Sequence, residues 1–535
     1  MLKEMLENDM VKELDQYGLP PKFKSWAKYQ RKTVQKIVDS DKKYFVLRAP
    51  TGSGKSVMGI VAGLELGVKT YYVVHNKQLQ RQITKDFPFV KEVKGRANFT
   101  CLASIIGESC DPGFNCASGR RCSFSDNCGY KVQKRIAQES NFVVFNYAYF
   151  LAIMNSKHGG FERPGLIILD EAHIADSALS GFVNFDISRR QLDMNRLRFP
   201  NHGEYVYEWL EYLKAETGAK IDAHYNMVAN KKCDTDTMNA INKDLKRLKT
   251  INYKASFLSN NIDDKNWIIE MYSDRYSDHI RFVPVWVNKF SKMLLGHANK
   301  YLLMSATISK FDMELLGIDK NDMEFLDMPS TFNPSNMPVK YIPFEKINRS
   351  TDKNKIVIMI DGIIKRHLEE KGVLHTVSYQ LSRYILEHSS YASRMISNSN
   401  SDIYTDAHIL DNRDDAIEEF LESDKPKILV SPSVETGLDL KDDLGRWQIV
   451  CKVPFASLGD KVVARRKSDN PLWYTNDAIN RIVQAAGRVC RSSTDHGVTY
   501  IIDKNLSWIV KRYQKSFPRW WLESLRAGNK LGGKV

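Results

Sequence analysis

Short apolar runs recur along the chain and alternate with longer stretches of mixed polar and apolar residues. Such runs, bounded by turn residues, are typical of strands buried on both faces of a parallel sheet. In the first part of the chain they occupy 44–47, 71–75, 142–145, 166–169 and 301–307. In the last part they occupy 373–377, 427–430, 448–453 and 498–502. The pattern therefore predicts two α/β units.

The mixed stretches show helical spacing of their apolar residues. Helices are predicted near 356–370, 380–388, 414–422 and 476–490, and also within residues 1–40. The strand rhythm stops over 181–283, where charged and aromatic helical segments such as Glu204–Thr217 and Thr235–Asn252 follow one another. We interpret this region as a mostly helical insertion within the first α/β unit.

The composition is that of a globular protein, and the chain is too long to fold around a single hydrophobic core. The chain has 535 residues, of which 43% are hydrophobic and 27% charged. Single cores stop growing at about 250–300 residues. No apolar run approaches the ~18 residues of a membrane span, and the N-terminus lacks a basic-then-apolar signal. These features predict a cytoplasmic location, where thiols stay reduced.

The charge balance favours a polyanionic partner. The net charge is +14 at pH 7 and the pI is near 9.1. Lys and Arg that neutralise phosphates supply most of the non-specific affinity for nucleic acid. The alternative explanation of the positive charge is a generally lysine-rich composition that serves no polyanionic partner. The tail around Trp520 and Trp521 is predicted to be a packed terminal helix, with stacking on bases as its alternative.

The first predicted strand leads directly into Ala49-Pro50-Thr51-Gly52-Ser53-Gly54-Lys55-Ser56. This fits the strand–loop–helix pattern of a phosphate-binding loop, with Ala49 at the first glycine position. Lys55 can reach the β and γ phosphates, and the Ser56 hydroxyl can hold Mg²⁺. The backbone N–H groups predicted to surround the phosphates belong to Thr51, Gly52, Ser53 and Gly54. A flexible glycine loop without a ligand is the alternative.

A second polar motif, Asp170-Glu171-Ala172-His173, follows the predicted strand at 166–169. Asp170 can hold Mg²⁺ through water, and Glu171 can orient or deprotonate an attacking water. Four residues alone are a weak signal. Their place after a phosphate-binding loop in a strand-alternating unit makes nucleotide hydrolysis the favoured interpretation.

The last predicted helix of the second unit carries Gln484, Arg488 and Arg491, whose spacing would place them on one helical face. Two arginines so placed can reach a γ phosphate and stabilise its charge in the transition state. The alternative is an exposed basic helix face. A further motif, Glu435-Thr436-Gly437-Leu438-Asp439, precedes this helix.

Five of the eight cysteines cluster at 101, 110, 116, 122 and 128. In a reducing compartment, clustered cysteines are more often metal ligands than disulfide partners. The segment therefore predicts a metal centre. It contains no Cys-x-x-Cys pair and no histidine, which structural zinc sites usually show. Thiolate-only ligation is what iron–sulfur clusters use. An iron–sulfur cluster is therefore favoured over zinc and over unligated thiols.

The order of these motifs resembles that of the superfamily 2 helicases. More narrowly, a cysteine-rich insert before the acidic motif and a helical insert before Ser305-Ala306-Thr307 resemble the iron–sulfur helicases of the XPD/DinG family. The matching segments are Gln30, 49–56, 170–173, 305–307, 435–439 and 484–491, with flanks at Lys94–Cys101, Cys128–Tyr130, Asn146-Tyr147, Val453–Phe455 and Trp473.

The resemblance implies an α/β fold with two RecA-like motor domains, and with an iron–sulfur cluster insert and a mostly helical arch insert in the first. The first motor domain would comprise 1–98, 142–180 and 284–335. The cluster domain would be 99–141, the arch 181–283 and the second motor domain 336–535.

Carried over residue by residue, the resemblance implies ATP and Mg²⁺ bound by the motifs above. Lys55 and Ser56 would hold phosphate and metal, Asp170 and Glu171 would serve metal and water, and Gln30 would read adenine. Gln484, Arg488 and Arg491 would act on the γ phosphate, and Asp439 would contact the nucleotide. The ligands of a [4Fe–4S] cluster would be Cys101, Cys116, Cys122 and Cys128, which leaves Cys110 spare.

The implied function is an ATP-dependent DNA helicase, a monomer without membrane contact, that moves 5′-to-3′ on single-stranded DNA and unwinds forked duplex. One alternative is a nucleic-acid-stimulated ATPase that remodels RNA or protein–nucleic acid complexes and carries a zinc-stabilised insert. Another is a binding module with a vestigial motor, against which the intact Lys55 and Glu171 argue.

Overall fold

The structure, a computed structural model, describes the chain with several gaps. The described residues are 11–103, 109–110, 122–156, 159–201, 203–230, 235–263, 265–398, 405–410, 412–432, 440, 442–490 and 494–529. The chain divides into two compact units. One comprises Met1–Leu66, Leu302–Asp312 and Lys320–Val535, and the other Gly67–Tyr301 and Met313–Asp319. The boundaries of the four domains drawn from the sequence stay predictions.

The strands follow the apolar runs. In chain order they are β1 Tyr44–Arg48, β2 Thr70–Val74, β3 Lys91–Glu92, β4 Phe142–Asn146, β5 Leu166–Asp170, β6 Phe185–Ser188, β7 Trp267–Ser273, β8 Asp278–Pro284, β9 Lys300–Ser305, β10 Met323–Asp327, β11 Val339–Glu345, β12 Gly372–His375, β13 Met395–Asn398, β14 His408–Leu410, β15 Ile428–Ser431, β16 Trp447–Val450 and β17 Val498–Asp503.

The helices lie between the strands. In chain order they are α1 Gln30–Asp39, α2 Lys55–Leu66, α3 Lys77–Asp86, α4 Gly129–Glu139, α5 Tyr147–Met154, α6 Ala175–Val183, α7 Arg189–Met194, α8 Val206–Asn230, α9 Thr235–Asn261, α10 Lys292–Leu295, α11 Lys310–Leu315, α12 Lys353–Ile364, α13 Tyr379–His388, α14 Arg413–Glu422, α15 Lys461–Asp469, α16 Pro471–Ala486, α17 Asn505–Tyr513 and α18 Arg519–Gly528.

Two sheets of seven strands confirm the α/β class. Their strand orders are β10-β1-β9-β5-β2-β4-β3 and β11-β17-β16-β12-β15-β13-β14. Neighbouring strands such as β2 and β5, or β12 and β16, run parallel. Strands β1, β2 and β5 are buried along their whole length, as expected for parallel strands covered on both faces.

All nine strands predicted from apolar runs are present, with ends shifted by a few residues. Five strands of the two large sheets were not predicted, and none of them is buried along its whole length: β3, β10, β11, β13 and β14. The prediction of helix over residues 1–40 was too broad. Between residues 11 and 29 only Leu14–Tyr17 forms a turn of 3₁₀ helix, which ends at Gly18 before Pro20 and Pro21.

The insertion at 181–283 contains two long helices, α8 and α9, which pack against each other. It also contains an antiparallel sheet, β6-β8-β7, which the sequence analysis missed. The ring of Trp209 on α8 lies parallel to that of Phe282 on β8, with 6.3 Å between centroids. The Lys254 ammonium on α9 donates to Phe182 O at 2.5 Å and to Asn184 O at 2.7 Å, at the C-terminal end of α6.

The terminal helix α18 is packed, as predicted. Trp520 is 2% exposed and Trp521 is fully buried, within the same core as Ile482 and Ile501. Their indole rings are therefore not available to stack on bases. In the part of the chain that the structure describes, no helix combines the length and apolarity needed to cross a membrane.

Candidate active site

The phosphate-binding loop joins β1 to α2. Gly52 and Gly54 adopt φ values of +76° and +77°, which glycine tolerates without strain. Ala49 N donates to Ser305 O at 3.0 Å, so the start of the loop lies beside the Ser305-Ala306-Thr307 motif. The Lys55 ammonium lies 3.3 Å from both Ala49 O and Pro50 O. These contacts hold the lysine over the loop that precedes it.

Gln30, the first residue of α1, is buried against this loop. Its side-chain Nε2 donates to Ser53 O at 2.9 Å, and its Oε1 accepts from Ala27 N at 2.9 Å. A Cβ on Gly54 would lie 2.2 Å from the Gln30 Nε2 and would displace that side chain, and the φ of +77° would strain any other residue at this position. Adenine reading by Gln30 stays a prediction, whereas its contact with the loop is present in the structure.

Gln30→Ala is expected to raise the KM for ATP about tenfold, since removing one partner of a buried hydrogen bond costs roughly 1–3 kcal/mol. The matched control is Gln35→Ala on the same helix, whose amide bonds Val11 N and Asp39 instead of the loop. Steady-state ATP hydrolysis measures both variants. A KM for Gln30→Ala equal to that of the control would mean that Gln30 does not shape the loop.

The acidic pair lies at the end of β5. Asp170 is 8% exposed, and its two carboxylate oxygens accept hydrogen bonds from Glu171 N at 3.0 Å and from the Tyr72 hydroxyl at 3.1 Å. Glu171 has a left-handed φ of +49°, an uncommon conformation for a non-glycine residue that tends to occur at functional sites. The His173 Nδ1 lies 3.3 Å from the Glu171 carboxylate.

Tyr147 supports the same turn from α5. Its hydroxyl donates to the backbone carbonyl of Asp170 at 3.2 Å. Complete burial, followed by the negative charges of Asp170 and Glu171, raises the pKa of Tyr147 well above its usual value. The phenol therefore stays protonated and remains a donor. Neither Tyr147 nor Tyr72 was predicted as a site residue, because no local motif marks them.

The arginine segment differs from its prediction. Helix α16 ends at Ala486, and Gly487 follows as its C-cap, so Arg488 lies in the turn beyond the helix and does not share a helical face with Gln484. A Cβ on Gly487 would lie 3.1 Å from the Thr51 hydroxyl, which places the end of α16 against the phosphate-binding loop. The prediction for Arg491 and that for Asp439 lie outside the described residues.

The cysteine segment is described only in part, and Cys116 lies outside the described residues. Cys110 is buried, and its N–H donates to Phe99 O at 2.7 Å. Its thiol donates to Thr100 O at 3.6 Å, and Cys101 and Cys128 lie near enough to affect its ionisation. Burial first, and then these two thiols, raise the pKa of Cys110 to about 12. Cys110, assigned as spare from the sequence, therefore lies beside two of the predicted ligands.

The other described cysteines of the segment are placed as follows. Cys122 is buried, and Cys128 is the N-cap of α4. A helix N-terminus favours a negative group such as a thiolate. Among the residues that the structure covers, no three His, Cys, Asp or Glu side chains are arranged as a metal site. The predicted ligand set, which includes Cys116, therefore stays a prediction.

Comparisons with known proteins agree with the motif order. Residues 364–524 match the helicase C-terminal domain family, and residues 23–194 match the family of the type III restriction enzyme, res subunit. The ATP-dependent DNA helicase YoaA of Haemophilus influenzae is 21% identical over 89% of this chain and 90% of its own length. YoaA of Escherichia coli is 20% identical over 88% of this chain and 90% of its own length.

A solved structure of an XPD helicase superposes with a TM-score of 0.60 at 18% identity, covering 91% of this chain and 97% of that one. A second, of XPD in the apo form, gives a TM-score of 0.56 at 16% identity, covering 91% and 98%. At these identities the likeness shows a shared fold.

Proposed function

We propose, from the premise that the chain is an XPD/DinG-like helicase of superfamily 2, that it moves 5′-to-3′ on single-stranded DNA and separates the strands of forked duplex at the expense of ATP. It would act as a monomer in the cytoplasm. The observation that carries the proposal is the phosphate-binding loop, which is contacted by Gln30, by Ser305 and by Gly487 at the end of α16.

The nucleotide chemistry is assigned as follows. Lys55 and the loop N–H groups would bind the β and γ phosphates, and Ser56 and Asp170 would hold Mg²⁺, which neutralises phosphate charge when bound. Glu171 would orient the attacking water. The contact of Gly487 with Thr51 supports a role for the neighbouring Gln484 and Arg488 at the γ phosphate, with Arg491 beside them.

Hydrolysis would drive movement through the two motor domains. ATP binding would close them and hydrolysis would open them. If each domain grips the phosphate backbone in turn, every cycle becomes a step in one direction. The positive net charge of the chain supports such a partner, since each backbone grip requires Lys or Arg against phosphate.

The cysteine segment would carry a [4Fe–4S] cluster. The predicted donor set is thiolate only, Cys110 lies near Cys101 and Cys128, and Cys128 is the N-cap of α4, which supports such a group. Cys101, Cys116, Cys122 and Cys128 are the proposed ligands, with Cys110 as the competitor for one place. The cluster would make the segment rigid enough to act as a wedge at a DNA fork.

Strand displacement with tailed duplexes tests the proposal. Unwinding of a duplex with a 5′ single-stranded tail, dependent on ATP and Mg²⁺, is the expected result, and a blunt duplex is the control. Unwinding of 3′-tailed substrates alone would contradict the direction. ATP hydrolysis stimulated by nucleic acid, without unwinding of any substrate, would favour a remodelling ATPase.

A further inference from the structure

Tyr72 lies on β2, the strand that pairs with β5, and it reaches the acidic pair from the side. The register sets Tyr72 opposite Ile168, and Val73 opposite Leu169, so Tyr72 lies just before the end of the strand that delivers Asp170. Its hydroxyl is 3.1 Å from the Asp170 Oδ2. The contact joins two strands that are almost one hundred residues apart in sequence.

The hydrogen bond to Asp170 is sheltered from water. Tyr72 is 1% exposed and Asp170 is 8% exposed. Hydrogen bonds to a charged acceptor are roughly twice as strong as those between neutral groups. The other carboxylate oxygen accepts from Glu171 N, and Tyr147 bonds the backbone carbonyl of the same residue. Asp170 thus accepts hydrogen bonds at three atoms, and the bond to Oδ2 comes from the side chain of Tyr72.

We propose that Tyr72 is a positioning residue whose hydroxyl fixes the Asp170 carboxylate and so sets the affinity of the site for Mg²⁺. The inference rests on the proposed function, because it takes Asp170 to be the metal carboxylate. Residues that orient a metal ligand through a hydrogen bond typically change metal affinity by about 10–100-fold when they are replaced. The Tyr72 hydroxyl would limit rotation of the carboxylate, so that Asp170 would hold Mg²⁺ in one orientation when the ion binds.

Tyr72→Phe removes only the hydroxyl. Two measurements report the affinity of the site for Mg²⁺. In ATP hydrolysis at saturating ATP, the Mg²⁺ concentration for half-maximal rate is expected to rise about tenfold. In binding of a fluorescent ADP analogue, the gain in affinity from Mg²⁺ is expected to shrink by a similar factor, while binding in EDTA stays as in the wild type.

Tyr71→Phe is the matched control. Tyr71 is the preceding residue of β2, it is equally buried, and its hydroxyl donates to Glu162 O at 3.0 Å, away from the acidic pair. Both variants lose one buried hydroxyl bond, so a comparable drop in melting temperature is expected for both. Only Tyr72→Phe should change the Mg²⁺ dependence.

The outcomes separate the inference from its premise. A wild-type protein that neither binds the ADP analogue nor hydrolyses ATP would overturn the proposed function. An active wild type with an unchanged Mg²⁺ dependence in Tyr72→Phe would overturn the inference alone. An equal shift in Tyr71→Phe would also overturn it, because the effect would then come from loss of packing in β2.

Discussion

Replacing Lys55 with Ala is expected to abolish ATP hydrolysis and to weaken nucleotide binding, whereas Glu171→Gln should abolish hydrolysis and leave binding intact. In the proposed mechanism the lysine would supply positive charge to the phosphates in the ground state and in the transition state. The glutamate would act on the attacking water. Loss of one preorganised electrostatic contact costs about 10²–10³ in turnover, and we expect at least that for each variant. Turnover and titration with a fluorescent ATP analogue distinguish the two.

Both variants have controls of the same charge. Lys43→Ala removes an exposed lysine just before β1, whose ammonium lies over the ring of Tyr44. Glu162→Gln removes an exposed carboxylate that pairs with Lys69. Neither variant should change turnover by more than about twofold, because interactions of exposed charges contribute little free energy. If Glu171→Gln hydrolysed ATP at the wild-type rate, Glu171 would have no role in the hydrolysis step.

Replacing Cys128 with Ser is expected to remove the bound iron from the protein. Anaerobically purified wild-type protein should be brown and contain about four irons per chain, as a [4Fe–4S] cluster requires. Cys101→Ser and Cys122→Ser should behave like Cys128→Ser, because each removes one thiolate of the four. Iron content and visible absorbance measure the loss without reference to helicase activity. Stoichiometric zinc with no visible absorbance would refute the cluster.

A comparison of Cys110→Ser with Cys116→Ser decides which of these two cysteines is a ligand of the cluster. The sequence resemblance assigns Cys116 as a ligand and Cys110 as spare, whereas the structure places Cys110 near Cys101 and Cys128. A four-ligand cluster needs only one of them, so one variant should keep its iron and the other should lose it. Iron retained in Cys110→Ser supports the sequence assignment, and iron lost there moves the ligand to Cys110. Retention in both variants would contradict either ligand set.

The buried sheets and the phosphate-binding loop were predictable from the sequence, since both leave local signals. A parallel strand such as β5 is a continuous apolar run, and the loop has its glycines and Lys55 at fixed spacing. In the sheet β6-β8-β7, which was missed, β6 is separated from its partner β8 by two long helices, whereas β7 and β8 are joined by a short turn. The contact of Tyr72 with Asp170 was equally hidden, since only the pairing of β2 with β5 creates it.

The prediction that Arg488 shares a helical face with Gln484 was wrong for a different reason. Residue spacing indicates a shared helical face only while the helix continues, and α16 ends at Ala486. Gly487, the C-cap of α16, lies within the motif itself. Glycine is the residue that most often follows the end of a helix, so the stop was available from local chemistry.

The bond between Lys254 and the end of α6 gives the insertion a mechanical connection to the acidic turn. Helix α6 begins four residues after Glu171, and its last carbonyls are held by an ammonium carried on α9. Helices rise about 1.5 Å per residue, so Lys254 lies about 30 Å from the start of α9 at Thr235. The two bonds of Lys254 therefore fix α9 to the C-terminal end of α6, the helix that follows the acidic motif.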